Sequence, residues 1–244
     1  MDIILIGYGK MGQAVEKAAL AAGHNIVLKI DSSNKGQLAK HHLNSGEVAI
    51  EFTQPSSAVE NLLMCLEAGI PVVCGTTGWH ERFEEVRSAF LKKDGSLLTA
   101  SNFSVGVQLM FRLNLQLASW MSKQSGYNVR ISESHHPQKL DKPSGTAVTL
   151  ASDILEAHPS YRSWLLTDDF HDVQSDQLPV QSSRIPDAVG EHTVTWQSDI
   201  DELSIRHVAH NRDGFARGAL LAAEWLRDKK GVYGMEDVLF GHGG

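Results

Sequence analysis

Through the first hundred residues, short apolar runs alternate with helically spaced segments, and this rhythm limits the possible folds more than any other feature of the sequence. Ile3-Ile4-Leu5-Ile6 reads as a buried strand. Residues 10–22 follow with Met11, Val15, Ala18, Ala19 and Ala22 at helical spacing, stopped at Gly23. Residues 26–30 and 48–52 read as the second and third strands. Pro55 opens a helix through Ala68, and Gly69 ends it. Residues 71–74 form a fourth strand, 79–92 another helix and 96–100 a fifth strand. Parallel neighbours need a crossover long enough to hold a helix, so this alternation predicts a parallel sheet covered on both faces.

After Asn102 the pattern changes. Residues 105–122 predict a long amphipathic helix and 127–135 a strand with one polar face. Pro143-Ser144-Gly145-Thr146 starts a helix carrying Ala147, Leu150, Ala151 and Ile154. Residues 158–190 are polar and turn-rich, with Pro159, Pro179 and Pro186, and predict loops with at most one strand. Residues 193–197 and 203–209 alternate as strands, and 213–228 is a last helix.

Several function classes are disfavoured by bulk properties. The net charge of −7 repels phosphate backbones, and no basic patch offsets it, so nucleic acid is not an expected partner. Two cysteines, Cys65 and Cys74, without metal-type spacing suit a reducing compartment. Met1 leads directly into the first strand, with no basic and apolar leader and no long apolar run, so the expected location is the cytoplasm, with no membrane partner.

Two places carry chemistry. The first is Gly7-Tyr8-Gly9-Lys10-Met11-Gly12, a G-x-G-x-x-G directly after a strand and opening a helix. Its first glycine makes the turn, its second lets a pyrophosphate reach the backbone, and its third lets helix and strand pack closely. Asp31 ends the second strand, where a carboxylate can hold ribose hydroxyls and repel a 2′-phosphate. NADH is therefore the favoured cofactor, with NADPH as the alternative, since Ser32 or Lys35 could tolerate it. Gly75-Thr76-Thr77-Gly78 and Ala100-Ser101-Asn102-Phe103 follow the fourth and fifth strands and should line the same crevice. Ordinary strand-to-helix turn chemistry is the plainer explanation for those small residues.

The second place is residues 133–147, Glu-Ser-His-His-Pro-Gln-Lys-Leu-Asp-Lys-Pro-Ser-Gly-Thr-Ala. Strand alternation puts Val129, Ile131, Glu133 and His135 on one face, so His135 and His136 point apart. An imidazole can move a proton near neutral pH, Lys139 can hold a carboxylate, and the helix start at Gly145 and Thr146 offers amides to another anion. The stretch suits a small dicarboxylate that needs a proton. Surface histidines and a solvated lysine are the competing interpretation, as for His41-His42. No ligand spacing for a metal is present in the stretch, and none is expected.

These residues resemble the signature of the 4-hydroxy-tetrahydrodipicolinate reductase (dihydrodipicolinate reductase) family. The similarity also takes in Glu51-Phe52-Thr53, Asn102-Phe103-Ser104-Val105-Gly106, Gly190-Glu191-His192 and Phe215-Ala216-Arg217-Gly218-Ala219, and runs nearly end to end. It implies an α/β fold: a Rossmann-like doubly wound parallel sheet (1–104 and 213–244) and a second α+β, mixed-sheet domain (105–212) for substrate binding and tetramerisation. It implies a homotetrameric enzyme of lysine biosynthesis. His135 would be the proton donor or acceptor and Lys139 a second proton donor. His136, Gly145 and Thr146 would bind substrate carboxylates. Gly7 to Gly12, Asp31, Gly75 to Thr77 and Ala100 to Phe103 would bind the cofactor. The chain departs from the family pattern in a short connection after Asp31, in Lys142 and in Ile185-Pro186. From the residues alone, another two-domain NAD(P)-dependent oxidoreductase or a dinucleotide-sensing regulator remains open.

Overall fold

The structure, a computed structural model, describes residues 1–34, 37, 47–170 and 173–241. The chain divides into two compact units, Met1–Val105 with Arg212–Gly244, and Gly106–Asn211.

The first unit is a six-stranded sheet. Its elements are β1 (Asp2–Ile6), α1 (Lys10–Ala21), β2 (Asn25–Ile30), β3 (Glu47–Glu51), α2 (Pro55–Glu67), β4 (Val72–Cys74), α3 (Phe83–Lys92) and β5 (Ser96–Thr99). After the second unit the chain returns as α6 (Asp213–Leu226), β11 (Gly231–Tyr233) and α7 (Met235–Phe240). All pairs are parallel, in the order β11-β5-β4-β3-β1-β2. Alternation along each strand feeds two cores. Ile4, Ile6, Ala49, Val72 and Leu97 pack with Ala58, Leu62, Val86 and Phe90 on the α2/α3 side. Ile3, Leu5, Val48, Val73 and Leu98 pack with Val15, Ala19, Ala219 and Ala223 on the α1/α6 side. Burial on both faces is why these strands are apolar without a break. The expected doubly wound parallel sheet is present. The helix expected over 79–92 begins as a 3-10 turn at His80–Arg82 before α3. β11 and α7 were not foreseen.

The second unit holds α4 (Val105–Met121), β6 (Asn128–His135), α5 (Gly145–Ala157), β7 (Ser163–Leu166), β8 (Gln177–Arg184), β9 (Gly190–Gln197) and β10 (Glu202–Ala209). The sheet order is β10-β9-β6-β8-β7, with β6, β8 and β7 parallel to one another and β9 antiparallel to both β6 and β10. This is the expected mixed sheet. Val129, Ile131, Val180, Val194 and Trp196 on one face pack with Met110 and Ala118 of α4 and Leu150 and Ile154 of α5. The expectation of at most one strand in 158–190 is corrected to two. Leu178, Val180 and Ser182 of β8 alternate inward, and Pro179 is accommodated opposite Leu165 of the four-residue strand β7.

Candidate active site

In the first unit the carboxyl ends of β1, β3 and β4 open into a cavity of about 360 Å³ lined by Gly9, Lys10, Met11, Phe52, Thr53, Pro55, Gly75, Thr76 and Thr77. Sequence order reverses across β1 here, since β2 lies on one side of it and β3 on the other, and ligands favour such a crevice. The three glycines of the motif differ physically. Gly7 has φ of +93°, and a Cβ on it would lie 2.0 Å from the Phe52 carbonyl oxygen. A Cβ on Gly12 would lie 2.2 Å from the Gly7 carbonyl oxygen. Among the described residues a Cβ on Gly9 would meet no atom within 4 Å, and its φ of −82° suits any residue. The described residues therefore do not require glycine at position 9. The space above that backbone, at a helix start with no side-chain cap, fits a pyrophosphate.

The remaining expected cofactor residues have separate placements. Asp31 is exposed, and its carboxylate accepts the Ser33 hydroxyl at 2.6 Å and the Ser33 amide at 2.8 Å, bonds that hold it below the usual carboxylate range. Tyr8 donates to Glu16, and Lys29 lies over the Tyr8 ring while pairing with Glu16 at 2.6 Å. Thr76 accepts the Thr53 amide at 2.7 Å, joining the loops after β3 and β4. Ala100 and Ser101 lie at the end of β5 outside the cavity lining, and Asn102 accepts the Ser104 amide. Phe103 is buried against Phe52, so its side chain belongs to the core. Lys35 and His41-His42 lie outside the described residues. Beneath the cavity Glu51 is fully buried and bonded by Thr53, Asn61 and the Cys74 thiol, which burial pushes well up. The sequence reading gave Glu51, Asn61 and Cys74 no role.

In the second unit, strand register builds the other site. Ser182 on β8, Glu133 on β6, His192 on β9 and His207 on β10 stand opposite one another in a single row. Arg184 and His135 form the next row, and a Cβ on Gly190 of β9 would lie 3.2 Å from His135 Nε2. Glu133 accepts the Ser144 amide at 2.9 Å, the Ser144 hydroxyl and the Ser182 hydroxyl at 2.6 Å. Burial pushes its carboxyl up, but the bonds from His192, Ser144 and Ser182 outweigh that and hold it at about 2. Ser144 is the N-cap of α5, and its Oγ accepts the Ala147 amide. His192 Nε2 lies 3.0 Å from the same Oγ. A hydroxyl has one hydrogen and two lone pairs. Because the hydrogen goes to Glu133, His192 must be the donor to Ser144, so its proton sits on Nε2.

His135 is 7 % exposed, its ring packs edge-on against His192 at 5.0 Å, and its Nδ1 lies 3.6 Å from Glu133. Burial lowers its pKa to about 4; Glu133 opposes this, while His192, Lys139 and Arg184 add to it. Lys139 pairs with Asp141 at 2.9 Å, and Arg184 straps that loop by bonding the Lys139 and Asp141 carbonyls. His136 lies past the end of β6, and its carbonyl accepts the Lys139 amide. Among the described residues a Cβ on Gly145 would meet nothing within 4 Å, so the start of α5 is open in the same sense as Gly9. The structure thus brings His135 together with Glu133, Ser144 and His192 beside Gly145 and Thr146. Glu133, His135 and His192 offer ligand atoms within 4.8 Å of one another. Ser144 already fills the angle between Glu133 and His192, so these donors are spent on hydrogen bonds and do not fit a metal.

The shift at His135 has a consequence for stability. Between its ordinary value of 6.5 and its folded value of about 4, the unfolded chain takes up a proton that the folded protein refuses. Stability is therefore full above pH 6.5 and falls as pH drops towards 4, by about 2–3 kcal/mol from this one group. Urea unfolding at pH 7 and pH 4.5 should show a loss smaller by about that amount in His135→Gln. An equal loss in both proteins would assign the titration elsewhere.

A parallel sheet with a glycine-lined cavity at its switch point, joined in one chain to a mixed-sheet unit with a buried imidazole pair, has the parts of a dinucleotide-dependent enzyme. The family models for the N-terminus and C-terminus of dihydrodipicolinate reductase match residues 1–103 and 106–239. The chain is 44% identical to 4-hydroxy-tetrahydrodipicolinate reductase of Christiangramia forsetii, covering 98% of each chain. It is 33% identical to the enzyme so named from Chromobacterium violaceum, again over 98% of each. In fold it resembles a dipicolinate-bound dihydrodipicolinate reductase from Paenisporosarcina sp. TG-14, with a TM-score of 0.76 and 24% identity over 98% of this chain and 99% of that one. An amine dehydrogenase from Mycobacterium smegmatis shares the fold less closely, with a TM-score of 0.57 and 12% identity over 95% of this chain and 94% of that one. The chain belongs to the dihydrodipicolinate reductase family.

Proposed function

We propose that this protein reduces 4-hydroxy-tetrahydrodipicolinate to tetrahydrodipicolinate with NAD(P)H, in the diaminopimelate route to lysine. The family membership supports the substrate. The observation that carries the chemistry is the Ser144 hydroxyl, which joins the buried Glu133–His192 pair next to His135 to the start of α5. One side chain thereby fixes a proton-moving group and an anion cradle relative to each other.

The substrate loses water to give a conjugated dihydropyridine, which must then gain one hydride and one proton. The bound nicotinamide supplies the hydride, at ring C4. Gly7 to Gly12 and Gly75 to Thr77 hold the dinucleotide, with Ala100 to Phe103 at the neighbouring strand end. The amides of Gly145 and Thr146, with His136, hold one substrate carboxylate, and Lys139 attracts the other. His135 returns the proton to the ring as negative charge spreads through it, with Lys139 as a second donor. Burial keeps His135 neutral at neutral pH, and two carboxylates brought beside it favour its protonated form.

NADH is the better coenzyme in this reading. The ionised Asp31 repels a 2′-phosphate, and the Lys29 charge is already paired with Glu16. The test is to mix pyruvate, aspartate semialdehyde and the preceding synthase, and to follow coenzyme absorbance with NADH and NADPH in parallel. A fall that depends on this protein, with higher kcat/KM for NADH, is expected. Tight NADH binding without consumption would instead make the chain a dinucleotide sensor. Consumption with higher kcat/KM for NADPH would sink only the assignment to Asp31.

A further inference from the structure

We infer that Glu133 is a positioning residue for His135: a buried carboxylate, fixed by Ser144, Ser182 and His192, that steadies the proton-bearing form of the imidazole and ties it to the start of α5. The inference rests on the reductase reading and adds to it a residue that touches neither substrate nor coenzyme.

Glu133 is fully shielded from solvent, yet every charged neighbour is arranged to keep it ionised. Its partners arrive from three other elements: Ser144 from α5, Ser182 from β8 and His192 from β9. An ionised carboxylate in such a place costs several kcal/mol unless fully bonded, so its presence needs a reason beyond stability. Its Oε2 faces His135 Nδ1 at 3.6 Å, a nitrogen that is buried and has no hydrogen bond among the described residues. At that separation the interaction is too long for a hydrogen bond to a neutral ring, but well placed to favour a proton on it. The other groups that face His135 are His192 from β9, Arg184 from β8 and Lys139 from the loop after β6, itself paired with Asp141. All three are cationic or become so on protonation, and oppose a charged imidazole. From α5 the Ser144 hydroxyl is the polar group at the cluster, and His207 of β10 lies beyond His192 in the row. Among the described groups that act on His135, Glu133 is therefore the anion that favours a proton on the ring, against the cations Lys139 and Arg184. Its bond to the α5 N-cap means that it cannot shift without moving Gly145 and Thr146.

Glu133→Gln isolates the charge. The amide oxygen can still accept from the Ser144 amide and from Ser182, and the amide nitrogen can donate to Ser144. The Ser144 hydroxyl then turns to donate to His192 Nε2, whose proton moves to Nδ1. The fold is thus preserved while the anion is lost. In the coupled reductase assay the alkaline limb of the kcat–pH profile should move down by about one to two pH units, lowering kcat about 10- to 100-fold above the limb. Glu133→Asp keeps the anion, so its midpoint should lie closer to the wild-type value than that of Glu133→Gln. An unmoved midpoint in Glu133→Gln, or an equal shift in Glu133→Asp, overturns the inference. If Glu133→Gln does not fold, the wild-type protein decides. With 13C-labelled glutamate, the Glu133 carboxyl should keep the chemical shift of an ionised carboxylate down to about pH 3, and protonation near neutral pH overturns the inference. A wild-type protein that consumes no coenzyme ends the reductase reading instead, an outcome distinct from all of these.

Discussion

His135→Ala should lower kcat by about 10²–10⁴-fold, the range that a positioned proton donor supplies, and should leave the affinity for NADH within about twofold of wild type, since the glycine motif of the first unit is untouched. The two parts of that expectation come from different units of the chain. His135 lies on β6 in the second unit, whereas the glycine-lined cavity is built at the ends of β1, β3 and β4 in the first. Truncation also removes a buried ring packed on His192 and on Gly190, so the folded fraction must be followed by the thermal transition alongside turnover. Steady-state kinetics with the coupled synthase, and fluorescence titration with NADH, give the two numbers. Unchanged kcat in a folded His135→Ala protein would remove the imidazole from the chemistry. An equal fall in kcat and coenzyme affinity would mean that the damage is to the fold.

The first unit was legible because a parallel sheet covered on both faces writes its strands as unbroken apolar runs, with Gly and Pro between them. β8 was hidden because only alternate residues, Leu178, Val180 and Ser182, face inward, while Gln177, Pro179 and Gln181 gave the segment the composition of a loop. β11 has three half-buried residues and leaves almost no pattern to find. The same contrast runs through the second site. His135, Lys139, Gly145 and Thr146 could be read together because they are neighbours in sequence. Ser182 is 49 residues from Glu133, and His192 is further still, so only the register of β8 and β9 against β6 brings them to it. One signal was available. Alternation already placed Glu133 on the apolar face with Val129 and Ile131, and a carboxylate in that position demands donors from elsewhere.

The second large effect separates glycines that the fold needs from glycines that a ligand needs. Gly12→Ala forces a Cβ to within 2.2 Å of the Gly7 carbonyl oxygen, a contact that only movement of α1 away from the loop after β1 can relieve. It should lower the thermal transition and coenzyme binding together. Gly9→Ala meets nothing among the described residues, at a backbone conformation that alanine accepts. Its thermal transition should match wild type, or rise slightly because alanine restricts the unfolded chain. Yet its methyl group occupies the space where a pyrophosphate must approach the helix start, so the Kd for NADH should rise about 100-fold, equivalent to roughly 2.7 kcal/mol. Gly145 at the start of α5 is open in the same way, and the same reasoning predicts that Gly145→Ala spares both stability and NADH affinity while raising KM for the dicarboxylate about tenfold. Thermal melts, NADH titration and steady-state kinetics on the three variants give the pattern. Wild-type NADH affinity in Gly9→Ala would mean that the dinucleotide lies elsewhere on the sheet. Reduced stability in that variant would mean that the open space above its backbone is filled by the protein itself.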